Sequence, residues 1–155
     1  MPWSSKLPAA LDALVVAFQG WPRIGGDKVI VKDGPSTSQT TGMEVVSVGW
    51  TGGDDENGAE STLLTEGLSG QVDREQFTIR CVIAVLRGSD DMASARKRAY
   101  ELFSEAGAAI AADRRLGGAV MRAMISSHSL DQAQTQQGAQ ASVMFDVSCD
   151  AYSGT

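Results

Sequence analysis

The sequence predicts an α+β domain, a mixed and mainly antiparallel sheet of about four to five strands packed against two helices. Three observations predict it: two segments repeat apolar residues at helical spacing, several others alternate with a period of two, and the segments run helix, hairpin, long loop, strand, helix, hairpin. At 155 residues the chain has the size of one domain, taken here as residues 1–155.

The first helix is read from Leu7, Leu11, Leu14, Val15 and Phe18, with Ser4 or Ser5 as cap, Pro8 in the tolerant first turn, and Gly20 and Pro22 as its stop. Residues 28–32 and 43–50 are two strands joined as a hairpin through 33–42, a stretch rich in turn chemistry. Residues 51–70 follow as a long acidic loop anchored only by Leu63, Leu64 and Leu68. Alternation from Phe77 to Val85 gives a strand that is apolar on both faces in its second half, so it is central. Met92, Ala95, Ala99, Leu102, Phe103, Ala106 and Ile110 give the second helix, residues 89–112, capped by Ser89 with Asp90 and Asp91 at its positive end. Residues 119–126 and 139–151 alternate again and pair antiparallel around a polar loop, 131–138. The expected core joins Leu11, Leu14 and Phe18 to Phe77, Ile79, Ile83, Leu102, Phe103, Ile110, Val143, Phe145 and Val147.

Composition narrows the function classes. Apolar residues make up 43% and charged residues 21%, no stretch approaches the roughly 18 apolar residues of a membrane span, and residues 1–6 lack a leader peptide's pattern. Cys81 and Cys149 sit in alternating apolar runs and read as two buried thiols in a reducing cytoplasm. The net charge of -6 is uneven along the chain. Asp33, Glu44, Asp54, Asp55, Glu56, Glu60, Glu66 and Asp73 follow one another with no Lys or Arg between them, and the remainder is nearly balanced. A broad basic surface for nucleic acid is not supported.

Parts for catalysis are sparse. His128 is the only histidine, so two-histidine metal sites are excluded, and Asp131 three residues on is weak support for a triad. The pairs Gly25-Gly26, Gly52-Gly53 and Gly117-Gly118 match no phosphate loop and read as turns, while residues 54–58 lack the ligand spacing of a calcium loop. No catalytic, cofactor or metal residue is assigned. Arg96, Lys97 and Arg98 form a basic cluster followed by Arg114 and Arg115; a solvated face, pairing with Asp54, Asp55 and Glu56 of another copy, and contact with phosphates are the three readings, in that order. Trp3, Trp21 and Trp50 are either core anchors or aromatics covered by a neighbouring subunit.

The order of elements, with the stretches FTIRCVIAVLRG, ARKRAYELFSEAGAAIAADRRLGG and GAQASVMFDVSCDAY, resembles the tail terminator family of phages with long non-contractile tails. The likeness covers residues 70–155 and, more loosely, the first helix. It implies a homo-oligomeric ring of six copies on the head-proximal end of the tail tube, stopping tube polymerisation and meeting the tail tube protein and a head-completion or stopper protein. It implies a virion protein assembled in the host cytoplasm, with no cofactor, no turnover and no membrane contact. On this reading Arg96, Lys97, Arg98, Arg114, Arg115 and Trp50 are the candidate subunit interface. Asp54, Asp55, Glu56 and Glu60 are the candidate lining or rim of a channel through which DNA passes without being held. Another head-tail connector or tail tube protein is the alternative from the same class, and a small hydrolase the alternative from another.

Overall fold

Two helices cover one face of a six-stranded mixed sheet, and among the described residues no α-helix lies on the other face. The computed structural model describes residues 3–35, 44–53, 57–68 and 70–152. Helix α1 (Leu7–Gly20) precedes strands β1 (Ile30–Asp33), β2 (Glu44–Val48), β3 (Ala59–Leu64) and β4 (Arg74–Leu86), then helix α2 (Met92–Ala112) and strands β5 (Arg122–Thr135) and β6 (Gly138–Tyr152). The sheet order is β1-β2-β4-β6-β5, and β3 lies beside the first half of β4 where β2 lies beside the second.

Period two explains which face is which. In β4 the residues Phe77, Ile79, Cys81, Ile83 and Val85 are buried beneath the helices, and in β6 Ala139, Ala141, Val143, Phe145, Val147, Cys149 and Ala151 do the same. From α1, Ala10, Leu14, Val15 and Phe18 enter this core; from α2, Ala95, Ala99, Leu102, Ala106, Ala109 and Ile110 do. The alanine stripe of α2 lets its backbone approach the sheet closely. Helix α1 ends at Gly20, and Trp21 Nε1 beyond it donates to Glu105 Oε1 of α2 at 3.0 Å. The expected core is present, but Leu11 and Phe103 are only partly buried at its margin.

Four expectations are corrected. Strands β1 and β2 run parallel and not as a hairpin, with Ile30 to Asp33 in register with Val45 to Val48. The 51–70 stretch is not all loop: β3 lies in it and makes a sixth strand, undetected because it is exposed along most of its length and shows no alternation. Just before β3 a close approach requires glycine, because a Cβ on Gly58 would lie 2.0 Å from Gly49 O. The polar 131–138 loop is mostly strand, with β5 and β6 paired down to Thr135 and Gly138. Finally, the caps differ: Asp91 accepts from Ser94 N at 3.0 Å at the start of α2, and Ser5 accepts from Leu7 N at 3.1 Å while Lys6 occupies the cap position of α1.

Candidate functional site

The register turns the uncovered sheet face into a map. One row across it reads Thr62, Gln76, Asp150, Arg122; the next reads Glu60, Thr78, Ser148, Met124. These residues line a shallow, mainly polar trough, to which Met124, Phe77 and Cys149 also contribute. Ion pairs flank it: Arg74 bonds Glu66 at 2.9 Å and Asp150 at 3.2 Å, and Arg80 pairs with Glu60 and donates to Asn57 O at 3.0 Å. Further along the same face Val45, Ser47 and Val82 are buried although they point away from the helices. The turn after β2 folds toward them, with Gly49 N and Trp50 N both donating to Arg80 O, at 2.7 and 3.0 Å.

The predicted basic cluster does not act as one patch. Consecutive helical residues are set about 100° apart around the axis, so a run of three spans most of a turn. Arg96 reaches toward β5 and donates to Gln132 Oε1 at 2.8 Å, whereas Arg98 turns to the other flank and grips both oxygens of Glu44, at 2.8 and 3.0 Å. That bidentate pair, joined by Arg87 at 3.5 Å, holds α2 to the edge of β2, and the bonds to Glu44 raise the pKa of Arg98 further. Lys97 is exposed between them. Arg114 and Arg115 are exposed just past the end of α2 and, with Arg122, form a second cationic region near the start of β5; no salt bridge engages these three among the described residues.

The acidic segment, unbalanced along the chain, is partly balanced in space. Glu44, Glu60 and Glu66 each have an arginine partner from a later element, and Asp73 accepts from Glu66 N and Gly67 N at 2.8 and 2.7 Å. Asp54, Asp55 and Glu56 lie outside the described residues. Trp50 is half-buried, and its Nε1 is enclosed with no partner among the described residues.

His128 sits on the helix side of β5 opposite Phe145, packed 4.8 Å from the ring of Phe103 and with Nδ1 3.5 Å from Tyr100 Oη. Asp131, an odd number of residues away in the same strand, faces the other side of the sheet. The two therefore form no dyad. One buried carboxylate was not singled out from the sequence. Glu75, 2% exposed, accepts from Ser5 Oγ and Ser61 Oγ, both at 2.6 Å, and from Lys6 N at 2.8 Å, tying the start of α1 and β3 to β4. An acidic residue on the inward phase of an otherwise apolar strand was the available signal.

The longest unsupported surface is the outer edge of β5. From Ser126 to Gln134 every residue is exposed, on the helix side as well as on the open side. Among the described residues no strand pairs with that edge, nor with the outer edge of β1. No helix among the described residues is long and apolar enough to cross a membrane. Compared with known protein families and with curated protein sequences, the chain matches none.

Proposed function

We propose that this chain is the subunit of a six-membered ring that caps the head-proximal end of a phage tail tube, stops its polymerisation and joins it to the head-completion proteins. The observation that carries the reading is that the strand order β1-β2-β4-β6-β5 ends in two unlike edges, β5 and β1, which no strand among the described residues pairs. Heterologous ring closure needs two different patches on each subunit, each complementary to the other. The order of elements around α2 also fits the family that the sequence resembles. In the ring, Glu60 faces the channel or its rim, where acidic side chains repel passing DNA and a basic lining would hold it. The exposed cations Lys97, Arg114 and Arg115 serve contacts between copies or with the adjoining virion proteins.

Light scattering on the purified chain, with negative-stain images of the same fractions, tests this. Closed rings that prevent tube subunits from extending are expected. A monomer at every concentration overturns the ring, and open filaments made by the chain alone transfer the assignment to a tube protein.

A further inference from the structure

The outer edge of β5 lacks the devices by which natural sheets protect an edge. Its exposed stretch beyond the bulge at Ser126, from Ser127 to Gln134, contains neither Lys nor Pro, and its one fixed charge is Asp131. Leu130, on the helix side of the strand, is 36% exposed there. An edge of this length offers a row of backbone donors and acceptors to another strand.

The opposite edge of the same sheet has complementary features. β1 carries Lys32, which has no salt bridge among the described residues, on the open face, the face to which Asp131 also points. On the helix side β1 carries Val31, partly buried at the margin of the core. Strand directions agree as well. β1 is parallel to β2, β2 antiparallel to β4, β4 to β6, and β6 to β5, so β1 and β5 run in opposite directions. Setting two copies side by side with the same face up therefore brings β5 against β1 as an antiparallel pair. The third edge, β3, carries Glu60, which would meet Asp131 as a like charge and is already bound to Arg80.

We propose that the outer edge of β5 in one copy pairs antiparallel with the outer edge of β1 in the next, so that neighbouring sheets run on into one another. The register sets Leu130 beside Val31 and places Asp131 diagonal to Lys32, within reach across adjacent strands. This rests on the ring reading above and names the contact that closes it. β5 supplies one patch and β1 the other.

Cysteine pairs test the register. A Leu130→Cys chain mixed with a Val31→Cys chain and treated with a short bismaleimide should give covalent dimers, and a chain carrying both changes should give a ladder ending at the copy number of the ring. The parent chain is the control, since Cys81 and Cys149 are buried. Leu130→Cys linking to itself would show a two-fold β5–β5 contact and overturn the proposal. Rings by light scattering with no ladder overturn the edge pairing and leave the ring standing, whereas a monomeric parent overturns both. Charge reversal is independent of the reagent: Asp131→Lys should deplete the ring fraction and Lys32→Asp in the same chain should restore it, with unchanged circular dichroism throughout. Ring yield unaffected by Asp131→Lys removes the ion pair and with it the choice of β1 as partner.

Discussion

Glu75 shows how a charge is kept inside this domain. Its carboxylate accepts three hydrogen bonds, from Ser5 Oγ, Ser61 Oγ and Lys6 N, and hydrogen bonds to a charged group contribute about 1.5 to 3 kcal/mol where neutral ones contribute about 1. Glu75→Ala removes the acceptor and leaves two hydroxyls and an amide short of a partner, so urea unfolding should show a loss of roughly 3 kcal/mol. Glu75→Gln keeps an acceptor for Lys6 N and should recover much of it; a change below about 0.5 kcal/mol in the alanine variant would remove Glu75 as a staple. Phe103 belongs to the same scale. The periodicity placed it in the core, where truncation costs about 3 to 5 kcal/mol, but it lies at the margin between Tyr100, His128 and Phe145. Partial burial lowers the expected cost of Phe103→Ala to about 2 kcal/mol, read from the same urea midpoints.

Among the elements, the Arg98–Glu44 grip fastens α2 to the start of β2, and both side chains are mostly shielded from solvent. A double-mutant cycle with Arg98→Met and Glu44→Gln should return a coupling of about 1 kcal/mol or more, in the upper range for a bidentate pair; additive losses would mean the contact is incidental. The elements differ in how well the sequence announces them, and the reason is physical. α2, β4 and β6 have one face buried against the core, so burial imposes 3.6 or 2.0 periodicity and the residues declare it. β3 and the far half of β5 bury neither face, and backbone pairing alone leaves no trace in side-chain type. The β5–β6 turn hides for a related reason: Gln136 and Gln137 are not the Asn-Gly or Asp-Gly of a two-residue hairpin, and the conformational demand falls one residue later. Gly138 has φ +127°, and a Cβ there would lie 1.7 Å from Arg87 O. The basic cluster was legible as charges and its intrachain pairings were not, because Arg98 and Arg96 leave opposite flanks of one helix.

Across the whole molecule, the sheet separates the two thiols and determines how the fold responds to alkali. Cys81 lies opposite Phe145 and Cys149 opposite Phe77 on adjacent strands, an offset of four residues along the ladder, or about 13 Å. That is beyond the reach of a disulfide, and both thiols are free. Burial pushes both upward in pKa, Cys149 to about 12 from an ordinary 9.0 and Cys81 in the same direction. A thiol raised in the folded state stays neutral there while its unfolded counterpart ionises. The stability it contributes is therefore complete below about pH 9 and declines as pH climbs toward the folded value, by roughly 1.4 kcal/mol per pH unit for each thiol. Melting temperatures measured from pH 7 to 11 should fall on the alkaline side, and Cys81→Ala with Cys149→Ala should flatten the part of that fall that the thiols cause while Tyr and Lys titrate as before. The same burial makes the thiols slow toward Ellman's reagent in native buffer, with two equivalents released at once in urea. Immediate reaction of either cysteine in the folded protein would place it outside the core, and an alkaline limb unchanged by the double substitution would assign the fall to other groups.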